Sequence, residues 1–238
     1  MRSYRQIKAQ SEIDRVTSRA SIMGRSIQLP GGAHVPAVPG RYHVVPPPDL
    51  NEVTDKRFFL EYDFPFVIVR EIALESGSNE EAVDVVIQTS NWKTKHPNVG
   101  GFFVLDRTGF QFNHPSASHE DGCHFQLIPS ISYVDRRTWS SLSDQDKDKA
   151  YLPCIPTVVV GLVTLTEALK DLQTKVSKFV TCGTREGLVV DTRDNRVWIF
   201  NQGEEPTFEA LDTVVFDTWT GFELDCIAIR DARARAGL

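Results

Sequence analysis

The stretch IPTVVVGLV, at residues 155–163, is the longest apolar run in the chain. The sequence TEALKDLQTKVSKFVT follows at residues 166–181 with helical spacing and ends before Gly183, and the apolar sequence GLVV occupies residues 187–190. This order predicts a buried strand, a helix of about four turns and a second buried strand. Such a β-α-β unit requires parallel pairing with a right-handed crossover, so the sequence predicts an α/β fold.

Further elements are predicted on both sides of this unit. Residues 64–74 favour a strand, and residues 78–92 favour a helix with Glu80 and Glu81 in its first turn. Short strands are expected at residues 101–105, 110–112, 124–127, 131–134 and 196–200, two polar helical turns at residues 138–151, and strands and turns at residues 213–216 and 221–229.

The net charge, the length of the apolar runs and the cysteine content indicate what kind of protein this is. The 238 residues carry a formal net charge of −6, so no overall basic field attracts nucleic acid. The apolar run at residues 155–163 is too short to span a bilayer, and no secretory signal is recognised, so we expect a soluble, intracellular protein of undefined compartment. Four dispersed cysteines favour free thiols: Cys123, Cys154, Cys182 and Cys226.

The N-terminal region differs in composition from the rest of the chain. Residues 2–23 place apolar side chains at loosely helical spacing, which predicts an amphipathic helix that needs a partner surface. Residues 29–50 are proline-rich and favour extended or polyproline II backbone. We therefore expect an arm at residues 1–57 and a domain at residues 58–238. A protein partner, or self-association, is expected through residues 1–50.

Four pieces of sequence resemble one known family when their order and spacing are taken together. The pieces are LIPSISYV (residues 127–134), YLPCIPTVVVGLV (151–163), DLQTKVSKFVTCG with VVDTRDNRVWIF (171–200) and GFELD (221–225). They resemble the Uma-type restriction endonucleases of the PD-(D/E)xK nuclease superfamily, over roughly residues 64–229. The resemblance implies a mixed sheet of four or five strands flanked by helices, with metal-binding carboxylates beside a lysine.

Two positions depart from the family pattern. Ser130 follows Pro129 where the family has an aspartate, and Gly161 stands where the family has a glutamate. The lysine on the following helix is retained as Lys175. Phosphodiester hydrolysis in this superfamily needs a metal held by carboxylates, and Mg²⁺ prefers carboxylate oxygen. We therefore expect a pseudo-nuclease with a structural or binding role and no cofactor.

Alternative interpretations remain open from the sequence. Lys175 could contact phosphate as a relic of the site, or it could be a helix-surface lysine paired with Asp171. Glu167, Asp171 and Asp191 could supply displaced carboxylates, which would make the chain a Mg²⁺-dependent DNA endonuclease. Each of the three also suits a capping or turn role. Nucleic-acid binding without cleavage is a third possibility, which the net charge of −6 disfavours.

Overall fold

The computed structural model describes residues 26–55, 57–71, 78–97, 99, 101–105, 108–114, 123–163 and 168–235. The chain divides into two compact units, residues 1–72 and residues 73–238. The helix predicted at residues 2–23 and the candidate carboxylate Glu167 lie outside the described residues.

The first unit is built from short antiparallel strands. Their bounds are β1 Ser26–Gln28, β2 His34–Pro36, β3 Gly40–His43, β4 Phe58–Asp63 and β5 Phe66–Glu71. Strand β1 pairs with β2, and β5 lies between β3 and β4.

This region is not the extended arm that the proline content predicts, and the units meet at residue 72 and not at residue 57. Apolar side chains such as Ile27, Leu29, Val35 and Leu50 are buried. The prolines did not prevent this, because they occur at strand ends and between strands, where a missing N–H is tolerated.

The second unit contains a six-stranded mixed sheet with the order β14-β13-β12-β11-β9-β6. Its strands are β6 Gly101–Leu105, β9 Ile131–Asp135, β11 Val158–Leu162, β12 Glu186–Asp191, β13 Arg196–Asn201 and β14 Thr207–Ala210. Strands β11 and β12 are parallel, and the other pairs are antiparallel. The predicted α/β class and β-α-β unit are confirmed, and the sheet is one strand wider than expected.

Smaller strand groups and five helices complete the described part of this unit. Strand β7 (Gly109–His114) pairs with β8 (Cys123–Leu127) and β10 (Tyr151–Leu152), and β15 (Thr213–Val215) pairs with β16 (Glu223–Asp225). The helices are α1 Ser78–Lys95, α2 Arg136–Ser141, α3 Asp144–Lys147, α4 Leu169–Thr181 and α5 Cys226–Arg235. None of the described helices is both long and apolar enough to cross a membrane.

Helices cover both faces of the six-stranded sheet. Val158 and Val160 of β11 belong to a core cluster that includes Trp92 of α1 and Ile229 of α5. Side chains alternate between the faces of a strand, so Gly161, which follows Val160, faces α4 on the opposite side. A Cβ at Gly187 of β12 would meet Val176 of α4 at 2.5 Å, which is too close for any side chain. Glycine in these two strands lets α4 approach the sheet closely.

The segment CIAI at residues 226–229 forms the start of helix α5 and not the predicted strand or turn. Asp225 accepts a hydrogen bond from the backbone N–H of Ala228 at 2.8 Å, which is the contact of an N-cap residue. The capping signal at Asp225 therefore outweighed the β-branched residues that follow it.

Candidate functional site

Ser130 and Gly161 lie next to each other at the carboxyl end of β11. Antiparallel pairing places Val160 opposite Ile131, and Ser130 and Gly161 are the next residues outward along the two strands. The Ser130 hydroxyl oxygen accepts a hydrogen bond from the backbone N–H of Leu162 at 3.0 Å. The structure therefore brings together the two positions at which the sequence departs from the nuclease pattern.

The Leu172 side chain fills the space beside Gly161. A Cβ added at position 161 would lie 2.7 Å from Leu172 Cγ and under 3.0 Å from both of its methyl carbons. Leu172 is only 1% exposed and cannot swing into solvent without losing buried apolar area. A glutamate at position 161 would therefore require α4 or the Leu172 side chain to move. Sequence reasoning missed this residue, because only packing reveals what a leucine faces.

Lys175 lies one turn beyond Leu172 on α4, and its Nζ donates a hydrogen bond to the backbone oxygen of Ile128 at 3.2 Å. Ile128 precedes Ser130 by two residues, so the lysine reaches the same end of the sheet. Lys175 is 8% exposed, so the interpretation of Lys175 as a helix-surface lysine is wrong. The lysine of the family pattern is therefore present at this end of the sheet.

Of the candidate displaced carboxylates, the structure describes Asp171 and Asp191. Asp171 is exposed on α4. Asp191 ends β12 and is 4% exposed, and its Oδ1 accepts backbone N–H groups of Arg193 at 3.1 Å and Asp194 at 3.3 Å. The Arg193 side chain lies 3.8 Å from the same oxygen. Asp191 therefore stabilises the turn between β12 and β13.

The described residues do not fit the divalent metal that the fold family implies. Among them, no group of three or more His, Cys, Asp or Glu side chains could hold a metal ion. Mg²⁺ demands near-octahedral oxygen ligands, usually including carboxylates. The Ser130 hydroxyl oxygen already accepts a backbone N–H, and Gly161 has no side chain that could be a ligand. No hydrolytic step through a metal is derived at this position.

Cys154, Cys182 and Cys226 are thiols that form no disulfide, as the sequence predicted. Burial, followed by the charge of Asp135, raises the pKa of Cys154 to about 12. Burial also raises the pKa of Cys226 to about 12, followed by the charges of Asp225 and Asp212. The thiolate is the reactive form, so neither Cys154 nor Cys226 is a nucleophile near neutral pH.

A buried polar network at the same end of the sheet was not predicted. Thr192 Oγ1 donates a hydrogen bond of 2.6 Å to Glu81 Oε1, and Arg233 of α5 lies 3.6 Å from the same oxygen. Sequence reasoning recognised Glu81 only as a first-turn acid, because its partners lie more than 100 residues away in the chain. The network joins α1, α5 and the end of β12.

Comparisons with known proteins agree with this architecture. The family model of Uma2, described as a putative restriction endonuclease, matches residues 71–226. A putative nuclease belonging to DUF820 from Anabaena variabilis ATCC 29413 has a similar structure, with a TM-score of 0.57 and 14% sequence identity. The match covers 73% of this chain and 90% of that chain, and at this identity it supports the fold alone. No curated protein matches the chain. Because the family model covers well over half of the sequence, the chain belongs to the Uma2 family.

Proposed function

We propose that this chain is a non-catalytic member of the Uma2 family, a pseudo-nuclease whose fold serves a structural or binding role. The observation that carries the proposal is the packing of Leu172 against Gly161, because any side chain at position 161 would require Leu172 or α4 to move. The fold alone does not supply the chemistry, because function resides in the site.

Charge at the site supports the same proposal. Ser130, Gly161 and Lys175 together carry one positive charge, whereas the nuclease pattern needs carboxylates around a cation. Without carboxylates at positions 130 and 161, these two residues offer a divalent ion no negatively charged ligand to offset its desolvation. Regaining the site would need two new carboxylates and a smaller residue at position 172.

The proposal is tested by titrating Mg²⁺ and Mn²⁺ into the full chain by calorimetry, and by assaying cleavage of supercoiled and single-stranded DNA in the same buffers. We expect no heat of binding and no cleavage. Lys175→Met is the control, because methionine keeps the volume of the buried stem and removes the charge. Metal-dependent cleavage by the wild type that disappears in Lys175→Met would contradict the proposal.

A second candidate function is a metal-dependent DNA endonuclease with displaced carboxylates. One observation favours it: Asp191 is a buried carboxylate at the end of β12, and its neighbour Val190 pairs with Leu162 beside the site. Such an enzyme would lose cleavage in Asp191→Asn and keep it in Asp171→Asn, because Asp171 is exposed. Equal rates in the wild type and both variants would assign any cleavage to a contaminant.

The partner of the proposed binding role is expected to contact the N-terminal segment. Support comes from Ile7, Ile13 and Val16, whose helical spacing would place an apolar stripe on one side of a helix. Such a stripe would have to be covered by a partner surface. Sedimentation velocity of the full chain is expected to reveal self-association that Ile13→Asp together with Val16→Asp abolishes. If both proteins sediment as monomers, the segment binds a different protein or none.

A further inference from the structure

A groove of about 630 Å³ lies between the outer surface of α4 and strand β13. Helix α4 contributes Lys170, Thr174 and Lys178, which recur every four residues and so follow one stripe of the helix. The sheet side contributes Trp198, Phe200 and Pro206. The remaining lining side chains are polar and uncharged, so the groove is lined by two lysines and no carboxylate.

Aromatic surface continues from the groove onto the edge strand β14. Trp198 pairs with Phe208 across the two strands, and their ring centroids lie 4.9 Å apart. Phe208 is 55% exposed, which is unusual for a large apolar side chain. The guanidinium carbon of Arg196 lies 5.2 Å from the centroid of the Phe208 ring and adds a third cation. This surface therefore combines accessible aromatic faces with positive charge on a protein whose net charge is −6.

Few ligands match both properties at once. Exposed rings favour a planar partner that can stack, and lysine and arginine side chains favour an anion. Nucleic acid has both groups in each nucleotide, and single strands present base faces that a duplex hides. Glu204 and Glu205 precede Pro206 at the turn between β13 and β14 and would repel phosphate there. The phosphates are therefore expected on the α4 side, near Lys170.

We propose that this groove binds single-stranded nucleic acid, with bases stacked on Phe208 and Trp198 and phosphates beside Lys170. The stripe of α4 that lines the groove is distinct from the stripe carrying Leu172 and Lys175, which packs on the sheet. The inference goes beyond the proposed function, because binding at the groove requires neither a metal nor hydrolysis.

The test is fluorescence anisotropy of a labelled deoxythymidine decamer titrated with the full chain at low salt. Two unlabelled competitors are an abasic strand of the same length and a duplex. Stacking is worth about 1–3 kcal/mol per base, so we expect both competitors to bind at least about tenfold more weakly than the decamer. Equal competition by the abasic strand would mean that charge alone is recognised and would overturn the proposal, as would absence of binding.

Matched variants locate the binding surface. Phe208→Ala is expected to weaken binding about tenfold, and Phe208→Tyr to preserve it, because the tyrosine ring still stacks. Val215→Ala, which trims another exposed apolar side chain, is the control and should change nothing. Lys170→Glu should weaken binding and reduce its salt dependence, whereas the same charge change in Lys95→Glu should not. If Phe208→Ala had no larger effect than Val215→Ala, or Lys170→Glu no larger effect than Lys95→Glu, any binding would occur elsewhere on the molecule.

These experiments distinguish failure of the groove proposal from failure of the pseudo-nuclease proposal. Cleavage of DNA with unchanged groove variants would remove the pseudo-nuclease proposal and the groove proposal together. Binding that depends on Phe208 without cleavage would support both. Binding that depends on Phe208 in an enzyme that also cleaves would retain the groove and remove only the pseudo-nuclease proposal.

Discussion

Leu172 of α4 packs closely against Gly161 of β11. Its Cγ would lie 2.7 Å from a Cβ at position 161, and the side chain is almost completely buried. Protein interiors are packed as densely as organic crystals, so a glutamate cannot enter such a position without displacing a neighbour. Glycine at 161 and leucine at 172 are therefore a mutually dependent pair.

Gly161→Glu is expected to lower the free energy of unfolding by about 1–3 kcal/mol, because the new side chain overpacks the contact with α4. Leu172→Ala alone should cost about 2–5 kcal/mol through the cavity it leaves. The free energy of unfolding lost in the double variant should be at least about 1 kcal/mol smaller than the sum of the losses in the two single variants. Urea denaturation of the four proteins measures this coupling, and strictly additive losses would contradict the predicted contact.

Asp135 gives the molecule a pH-dependent contact at the N-terminus of α2. Its carboxylate accepts backbone N–H groups of Arg137 at 2.8 Å and Thr138 at 3.1 Å, and the hydroxyl of Thr157 at 2.9 Å. Burial raises the pKa of this carboxyl, but the hydrogen bonds, led by that from the Thr138 backbone, outweigh burial and lower the pKa below 3.8. The carboxylate thus stabilises the fold at pH values above its unfolded pKa, and this contribution is lost as pH falls through the folded pKa.

Asp135→Ala should therefore lower the free energy of unfolding by about 1–2 kcal/mol at neutral pH, the usual cost of losing an N-cap. The difference from wild type should shrink as pH falls below the ordinary aspartate pKa and through the lower folded pKa of Asp135, where the hydrogen-bonded carboxylate becomes protonated. Asp148→Ala, at an exposed position, is the control and should have little effect at any pH. Denaturation at a series of pH values measures both variants, and a constant Asp135→Ala difference would contradict the assignment.

At the scale of elements, α5 is held against α1 by a buried ion pair. The side chains of Glu81 and Arg233 are 4% and 15% exposed, and Thr192 donates to the same carboxylate oxygen. Removing one member of such a pair leaves an uncompensated buried charge, which costs more than the pair itself contributes.

Arg233→Ala should accordingly lower the free energy of unfolding by about 3 kcal/mol, because the Glu81 carboxylate loses its cation. Arg235→Ala removes the same group from an exposed position of the same helix and should cost under about 0.5 kcal/mol. Glu81→Gln combined with Arg233→Ala should recover part of the loss, since no buried charge then remains. Equal effects of the two arginine variants in urea denaturation would rule out the buried pair.

At the scale of the whole molecule, the six-stranded sheet is complete without a metal. Helices α1 and α5 cover one face and α4 covers the other, and the described residues offer no group of carboxylates for a cation. A ligand that binds only the folded state raises stability in proportion to the logarithm of its concentration over its Kd. A metal that does not bind has no such effect.

The midpoint of thermal unfolding, Tm, should therefore change by less than about 1 °C between EDTA and about 10 mM Mg²⁺. A site with a Kd of about 0.1 mM would instead stabilise the protein by about 2.7 kcal/mol under these conditions, which is several degrees. Differential scanning calorimetry separates the two outcomes. Ca²⁺ at the same concentration is the control for non-specific screening of the negative surface.

Part of the fold could be predicted because local sequence carries the information. The apolar runs around residues 155–163 and 187–190 with an amphipathic helix between them predicted the parallel β-α-β unit that the structure contains. Strand β14 was missed, because it is only four residues long and all four residues are exposed. Helix α5 was missed, because its N-cap at Asp225 competes with a β-branched sequence. The proline-rich composition of residues 29–50 concealed short strands whose side chains are buried.

The sequence by itself determined the family and the α/β class, because these follow from residue identity, periodicity and spacing. Only the tertiary structure decided that Lys175 is buried, that Leu172 occupies the space beside Gly161 and that Glu81 is paired with Arg233. These facts depend on which side chains from distant parts of the chain meet, and close packing fixes those contacts only after the elements have assembled.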